Sequence, residues 1–223
     1  MHKDTDTRIL VIEDHPMMRK GLVYTLESEP GYEVVLQTER AEEALKALDD
    51  YQFDLIVADI SLPGMNGLEF VKNALFQSPD LKILLVSRHD EALYAERALR
   101  AGAKGYIMKF EPGETLLKAT RKILSGSIYV SDDINEKIIM GMMHGKENMY
   151  ESPIHVLSDR ELEVFELIGH GKSSSEIANQ LHLAAKTIET YRSRIKEKLG
   201  YKNATEMMFH AVKWVENAKS DSI

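Results

Sequence analysis

The chain has 223 residues, of which 43% are hydrophobic, and a formal net charge of −8. This length predicts one large domain or two small ones with a substantial core. Because cysteine is absent, a disulfide framework and a thiolate metal site are excluded. Residues 2–8 are a polar lead-in and not a secretory signal, and no stretch predicts a membrane span, so we expect a cytoplasmic protein without a membrane partner.

The first 127 residues alternate between apolar runs and amphipathic segments. Five apolar runs predict strands, at residues 8–12, 33–37, 54–59, 82–87 and 105–109. Five segments with helical periodicity predict helices, at residues 16–28, 41–50, 67–77, 92–101 and 112–125. Strict alternation predicts right-handed crossovers, and therefore an α/β fold with a doubly wound parallel sheet covered by helices on both faces.

Polar side chains stand where four of these strands end. They are Glu13, Asp14, Asp59, Ser87 and Lys109. Ligands bind at the carboxyl ends of strands in open α/β sheets, so we expect these side chains to meet. Three carboxylates repel one another unless a hard cation lies among them, and Mg²⁺ takes oxygen ligands together with water and phosphate oxygens.

The same constellation suits phosphoryl transfer. Lys109 supplies a fixed positive charge for a phosphoryl oxygen, and Ser87 supplies a hydroxyl donor. Asp59 is then placed to attack the phosphorus as a nucleophile. Taken singly, each residue has an ordinary structural explanation, such as a strand-capping Asp59 or a surface Lys109. Their joint occurrence at successive strand ends favours the functional interpretation.

With these residues in place, residues 8–127 resemble the receiver domain of bacterial two-component response regulators, whose fold is flavodoxin-like and five-stranded. The resemblance implies that a sensor histidine kinase phosphorylates Asp59, and that Lys109 binds the phosphate. It implies that Ser87 is the switch hydroxyl and Tyr106 the switch aromatic. The implied ligands of Mg²⁺ are Glu13, Asp14, Asp59 and the backbone carbonyl of Ser61.

Between residues 126 and 153 the periodicity weakens. Residues 133–143 have helical spacing with an apolar stripe, but Gly141, Gly145 and the polar residues 146–148 interrupt the pattern. The stripe consists of Ile134, Ile138, Ile139 and Met142. We interpret residues 128–153 as a linker with a helix, between a receiver domain at residues 1–127 and a second domain at residues 154–223. The stripe predicts packing against a neighbouring domain or a second chain.

The second domain opens with two capping-box motifs. Ser158 and Glu161 start a helix that runs through Ile168, and Ser173 and Glu176 start a short helix over the apolar-periodic residues 177–181. A helix over residues 186–199 follows after a short break, and a last helix spans residues 204–218. Residues 186–202 contain six basic and two acidic residues, a local basic face on an acidic chain. Two helices with a tight turn, the second basic, predict a helix-turn-helix in a small all-α domain.

Residues 157 to about 211 resemble the LuxR-type helix-turn-helix found behind receivers in one large response-regulator subfamily. The resemblance implies that Glu189, Thr190 and Ser193 face base edges in the major groove. Four further residues are the implied contacts to the DNA backbone: Lys186, Thr187, Arg192 and Arg194. Two alternatives stay open, a merely solvated basic face and a Glu189 that pairs with Lys186 or Arg192.

One residue departs from the LuxR-type pattern. Ala184 stands where the family usually has a Ser or Thr that caps the recognition helix. Loss of such a cap costs about 0.5–2 kcal/mol of helix stability.

The sequence therefore predicts a phosphorylation-activated transcription regulator that binds promoter DNA as a dimer when active. It is not a metabolic enzyme, although it takes part in its own phosphoryl transfer and hydrolysis. A phosphatase of the haloacid dehalogenase type would need a second Asp where this chain has Ser61. A dinucleotide-binding enzyme would need a Gly-rich turn where this chain has residues 13–16. The alternative that stays open is a regulator that binds DNA without phosphorylation and uses its receiver as an interaction platform.

Overall fold

The computed structural model describes residues 6–143 and 153–220, with only the backbone described for residues 141–143, 153 and 218–220. The chain divides into two compact units, residues 1–136 and 137–223. The part of the predicted linker over residues 144–152, including Gly145 and the polar residues 146–148, lies outside the described residues. The predicted domain boundaries at residues 127 and 153 therefore stay predictions.

The first unit is a parallel sheet with helices between its strands. The strands are β1 (Thr7–Ile12), β2 (Tyr32–Thr38), β3 (Leu55–Asp59), β4 (Ile83–Ser87) and β5 (Gly105–Met108). The helices are α1 (Pro16–Glu27), α2 (Ala41–Asp50), α3 (Gly67–Gln77), α4 (Glu91–Ala101) and α5 (Gly113–Leu124). The strands pair in the order β2-β1-β3-β4-β5, all in parallel, which confirms the predicted flavodoxin-like fold.

The register of the sheet brings the strand ends to one edge. Ile12 pairs with Ala58, Asp59 with Val86, and Ser87 with Met108. Every residue of β3 and β4 is buried, because helices cover both faces of the sheet, and this burial explains their continuous apolar sequence. The last strand ends at Met108, one residue earlier than predicted, so the residue after it begins the following turn.

Residues beyond α5 add to the open edge of β5. The amide of Tyr129 donates to the carbonyl of Lys104 at 2.9 Å, and the amide of Tyr106 donates to the carbonyl of Tyr129 at 3.0 Å. This pairing is parallel and joins Gly105 to Tyr129. We name residues 127–131 the edge segment. The sequence did not predict it, since one short pairing leaves no periodic pattern.

The predicted linker helix is present as α6 (Asp132–Met143). Its apolar stripe is only partly buried: Ile134 is buried, Ile138 is intermediate and Ile139 is about half exposed. The side chain of Met142 lies outside the described residues. Packing of this stripe against another domain or chain stays a prediction.

The second unit is helical. It contains a 3-10 helix (Pro153–Val156), α7 (Asp159–Gly169), α8 (Ser174–Gln180), α9 (Ala185–Leu199) and α10 (Ala204–Ser220). Both predicted capping boxes form, and α8 begins directly after its cap Ser173, earlier than the apolar residues indicated. A Cβ on Gly169 would lie 2.5 Å from the carbonyl oxygen of Ala211, so glycine is required where α7 meets α10. None of the described helices is both long and apolar enough to cross a membrane.

Candidate functional site

The acidic strand ends form one pocket, which is buried at Glu13 and Asp59. Glu13, Asp14, His15 and Asp59 each bring one possible ligand atom within 4.8 Å of the others. The Nζ of Lys109 lies 2.6 Å from Oε2 of Glu13 and 2.8 Å from Oδ2 of Asp59. The side chains of Glu13, Asp59 and Lys109 are at most 3% exposed. The structure thus brings together the predicted nucleophile, two predicted metal ligands and the predicted phosphate-binding lysine.

The electrostatics of this pocket favour an added cation. Burial raises the pKa of Glu13 above its ordinary value, the charge of Asp59 raises it further, and Lys109 acts in the opposite direction. One ammonium group therefore does not fully offset the burial of the Glu13 carboxylate and its repulsion from Asp59. The carboxylate donors are hard oxygen ligands, as Mg²⁺ requires, so the residues present fit this ion. Ser61, the fourth predicted ligand, follows Asp59 by two residues, and ligation by its carbonyl stays a prediction.

His15, the N-cap residue of α1, and Arg19 in its first turn contact the acidic pair, and the sequence analysis missed both. The Nδ1 of His15 lies 2.6 Å from Oδ1 of Asp14 and 3.3 Å from Oε1 of Glu13. Arg19 donates from Nη1 to the carbonyl of Glu13 at 2.6 Å and from Nη2 to Oε1 of Glu39 at 2.9 Å. Their position in the sequence could have identified them, because the first residues of a helix that starts at Pro16 lie close to the end of the preceding strand.

The two predicted switch residues converge on a third residue, His89. Ser87 and Tyr106 are both fully buried. The amide of His89 donates to Oγ of Ser87 at 3.2 Å, and the hydroxyl of Tyr106 donates to the carbonyl of His89 at 2.6 Å. The ring of His89 stacks on Tyr94 at 4.4 Å between centroids, and its Nε2 lies 2.8 Å from Oγ of Ser61. His89 therefore joins the turns that follow β3 and β4, which sequence reasoning did not detect.

The predicted recognition helix α9 presents one exposed face. Its inner side buries Ile188 and Ile195, which repeat at seven residues. Thr187 and Arg192 are partly buried. The remaining predicted DNA contacts are exposed: Lys186, Glu189, Thr190, Ser193 and Arg194. These five recur at helical spacing, so they share one face.

Among the residues that the structure describes, none forms an ion pair with Glu189. Within the described part of the chain, its carboxylate pairs neither with Lys186 nor with Arg192, the partners that would have made it a structural residue. The hydroxyl of Thr190 donates a hydrogen bond to the carbonyl of Lys186 at 3.0 Å, as threonines within helices often do. The carboxylate of Glu189 is therefore available to a ligand.

The two ends of α9 are held differently. At its start, Ala184 has the extended backbone of an N-cap (φ −72°, ψ 142°) but makes no capping bond, as the sequence indicated. Near its end, the Nζ of Lys198 lies 2.6 Å from Oε2 of Glu161, which also accepts from the amide of Ser158 at 2.7 Å. Burial acts to raise the pKa of Glu161, but the hydrogen bonds from Lys198 and Ser158 outweigh it and lower that pKa.

Comparison with known proteins identifies the family. Residues 9–121 match the response regulator receiver domain, and residues 155–211 match the bacterial regulatory proteins of the luxR family. The chain therefore belongs to the response regulators that carry a receiver and a LuxR-type DNA-binding domain, and it is a transcriptional regulator of the two-component class. Both resemblances inferred from the sequence are confirmed.

Among its relatives is the transcriptional regulatory protein DegU of Brevibacillus brevis, which is 30% identical over 94% of this chain and 95% of DegU. The oxygen regulatory protein NreC of Staphylococcus carnosus is 32% identical over 92% of this chain and 97% of NreC.

Solved structures agree on the fold. A LuxR-family response regulator from Aurantimonas sp. SI85-9A1 is 32% identical, covers 62% of this chain and 99% of its own, and has a TM-score of 0.58. RcsB of Salmonella enterica serovar Typhimurium, solved with the promoter rprA and the phosphomimetic BeF3−, is 22% identical. The match covers 93% of this chain and 98% of RcsB, with a TM-score of 0.61. At that identity the likeness to RcsB concerns the fold alone.

Proposed function

We propose that a sensor histidine kinase phosphorylates Asp59 and that the phosphorylated protein, as a homodimer, binds promoter DNA through α9. The observation that carries this proposal is the buried pocket in which Lys109 pairs with both Glu13 and Asp59. A buried ammonium between two carboxylates, one at a strand end, is an arrangement for receiving a phosphoryl group. Since promoter DNA is the target, the protein acts in the cytoplasm.

The residues of the pocket have distinct roles in this proposal. A carboxylate oxygen of Asp59 attacks the phosphorus of the kinase phosphohistidine, an O–P bond forms, and the P–N bond to the histidine breaks. Lys109 exchanges a carboxylate partner for one phosphoryl oxygen. Ser87 turns its hydroxyl towards a second phosphoryl oxygen. Glu13, Asp14, Asp59 and the carbonyl of Ser61 would hold Mg²⁺, which supplies positive charge against the phosphoryl oxygens when bound. Water later cleaves the acyl phosphate, which restores the Asp59 carboxylate and releases inorganic phosphate.

The exposed face of α9 supports the DNA-binding half of the proposal. Lys186, Arg192 and Arg194 are proposed to neutralise phosphates, with Thr187 as an additional backbone contact. Glu189, Thr190 and Ser193 are proposed to face base edges. A carboxylate in a major groove accepts best from a cytosine amino group, with the adenine amino group as the lesser option.

Phosphorylation can be tested with the purified chain, acetyl phosphate and Mg²⁺. We expect the wild type to acquire one acid-stable, base-labile phosphate, and Asp59→Asn to acquire none. Asp50→Asn is the matched control, because it makes the same chemical change at an exposed residue that ends α2. Removal of Mg²⁺ with a chelator should abolish labelling of the wild type. Undiminished labelling of Asp59→Asn would reject the assignment.

A second measurement distinguishes DNA binding that depends on phosphorylation from DNA binding that does not. Duplexes selected from a random pool by the phosphorylated wild type are bound to the phosphorylated and unphosphorylated protein at one salt concentration. We expect higher affinity after phosphorylation and no such increase for Asp59→Asn. Equal affinity in both states would instead support a regulator that binds DNA without phosphorylation.

A further inference from the structure

The edge segment (residues 127–131) is hydrogen-bonded to the backbone of the switch aromatic. The amide of Tyr106 donates to the carbonyl of Tyr129, and the amide of Tyr129 donates to the carbonyl of Lys104. The hydroxyl of the same Tyr106 reaches His89, next to the phosphoacceptor pocket. Tyr106 thus connects the pocket on one side and the edge segment on the other.

Side chains fasten the edge segment to the sheet. Tyr129 is 8% exposed and belongs to a hydrophobic core cluster of the first unit. Two lysines of α5 lie over its ring, with the Nζ of Lys118 at 5.9 Å and that of Lys122 at 5.7 Å from the centroid, within the range of cation–π attraction. Val130 is equally buried, whereas Ile128 is half exposed. The segment is therefore anchored mainly by Tyr129 and Val130.

The last residue of the edge segment starts α6. The carbonyl of Ser131 accepts from the amide of Asn135 at 3.0 Å, and its hydroxyl oxygen accepts from the amide of Ile134 at 3.3 Å, as at a helix N-cap. The amide of Ser131 donates to Oε1 of Glu91, the first residue of α4, at 2.9 Å. Ser131 therefore fixes the start of α6 to α4, and the edge segment fixes it to β5.

We propose that Tyr129 is a positioning residue that couples the Ser87–Tyr106 switch to α6, and through α6 to DNA binding. This inference rests on the proposed function of Asp59 and α9. In this structure the edge segment is paired with β5, an arrangement that we call docked, and Tyr106 is fully buried. The hydrogen bond joins the backbone of Tyr106 to the segment, so a shift of that backbone with the ring would also change the docking of the segment, and undocking would in turn favour release of the ring.

Space next to this junction allows two arrangements. A surface pocket of about 200 Å³ is lined by residues from all the parts involved, among them Glu91, Tyr106, Tyr129 and Ser131. Close-packed interiors resist small displacements, so a side chain that changes place needs adjacent room. Phosphorylation at Asp59 would therefore select between docked and undocked forms of the edge segment.

The test compares DNA affinity with and without phosphorylation in the full chain, using the selected duplexes described above. For the wild type we expect phosphorylation to change affinity by about 5- to 150-fold, the usual range of allosteric coupling. Tyr129→Ala should still be phosphorylated at Asp59, but the ratio of the two affinities should fall to near one. Tyr129→Phe keeps the ring and should restore the wild-type ratio. Ile128→Ala removes an exposed apolar side chain of the same segment and should leave the ratio unchanged.

A second variant protects the test against a folding defect of Tyr129→Ala. Glu91→Ala removes the acceptor for the amide of Ser131, whereas Glu91→Gln retains an acceptor oxygen. We expect Glu91→Ala to lower the affinity ratio and Glu91→Gln to preserve it. Hydrogen exchange supplies a direct readout, since the amides of Tyr129 and Ser131 should exchange more slowly in the wild type when it is phosphorylated.

The outcomes distinguish this inference from the function on which it rests. If wild type takes up no phosphate at Asp59, or if its DNA affinity does not respond, the proposed function fails and the coupling fails with it. If wild type is labelled and responds while Tyr129→Ala and Glu91→Ala keep its affinity ratio, only the role of Tyr129 is overturned. Equal exchange of the two amides in both states would overturn it as well.

Discussion

Replacing Ala184 with Ser should stabilise the DNA-binding domain by supplying the cap that α9 lacks. The backbone of Ala184 already has the extended conformation of an N-cap, and its carbonyl accepts from the amides of Thr187 and Ile188 at 2.9 and 3.3 Å. The residue is exposed, so a hydroxyl displaces no packed group. Only a side-chain acceptor is missing at this position.

The size of the effect follows from the capping energy. A Ser in place of Ala at an N-cap contributes about 0.5–2 kcal/mol, typically near 1. In a domain of roughly 60–100 residues, 1 kcal/mol raises Tm by about 4–8 °C. Since the backbone needs no rearrangement, we expect Ala184→Ser to gain the full capping free energy.

Differential scanning calorimetry of the full chain measures the effect, with Ala185→Ser as the matched control. Ala185 is also exposed but is the first residue within α9, where Ser has a lower helix propensity than Ala and no corresponding capping geometry. The control should therefore leave Tm unchanged or lower it. If Ala184→Ser raised Tm no more than Ala185→Ser, the reasoning that α9 begins with an unfilled cap would be refuted.

Three further predictions address the two sites. Ser87→Ala should accept phosphate on Asp59 but show a reduced difference in DNA affinity between phosphorylated and unphosphorylated forms; an unchanged difference would place the coupling elsewhere. Glu189→Ala should change the preferred base at one position of each half-site by about 1–3 kcal/mol in a binding-site selection at fixed salt, whereas identical selected motifs would end the claim that it reads bases. The lowered pKa of Glu161 means that its contribution to stability is complete above its ordinary value of 4.5 and is lost as pH falls through the lowered value. In urea titrations, the stability difference between wild type and Lys198→Met should therefore shrink as pH falls below 4.5, and a difference independent of pH would contradict the pairing with Glu161.

The sequence was informative where burial is strong and local. The strands β3 and β4 are buried throughout, so their apolar runs marked them to within a residue. The capping boxes at Ser158 and Ser173 likewise showed where α7 and α8 begin, because such caps depend on residues only three positions apart. The meeting of Asp59 with Lys109 could be predicted because parallel strands share one carboxyl edge.

The features that escaped prediction depend on contacts between distant residues. Glu161 was identified only as part of a capping box, but it also pairs with Lys198, which lies 37 residues away. His89 carries no motif of its own, and its role follows from the positions of Ser61, Ser87 and Tyr94 around it. The edge segment pairs through its backbone, so no arrangement of side chains along the sequence indicates it.

The strand order has a consequence for how the receiver assembles during synthesis. β1 pairs with β2 on one side and with β3 on the other, and β4 and β5 follow in chain order, so β5 is the outermost strand at one edge of the sheet. Domains generally fold as units, the N-terminal one first during synthesis, so the receiver can fold before the second domain is complete, and β5 is its last full strand. Open edges recruit strands from other chains. Because residues 127–131 emerge next and pair with β5, a nascent chain closes part of its own aggregation-prone edge before its DNA-binding domain has been made.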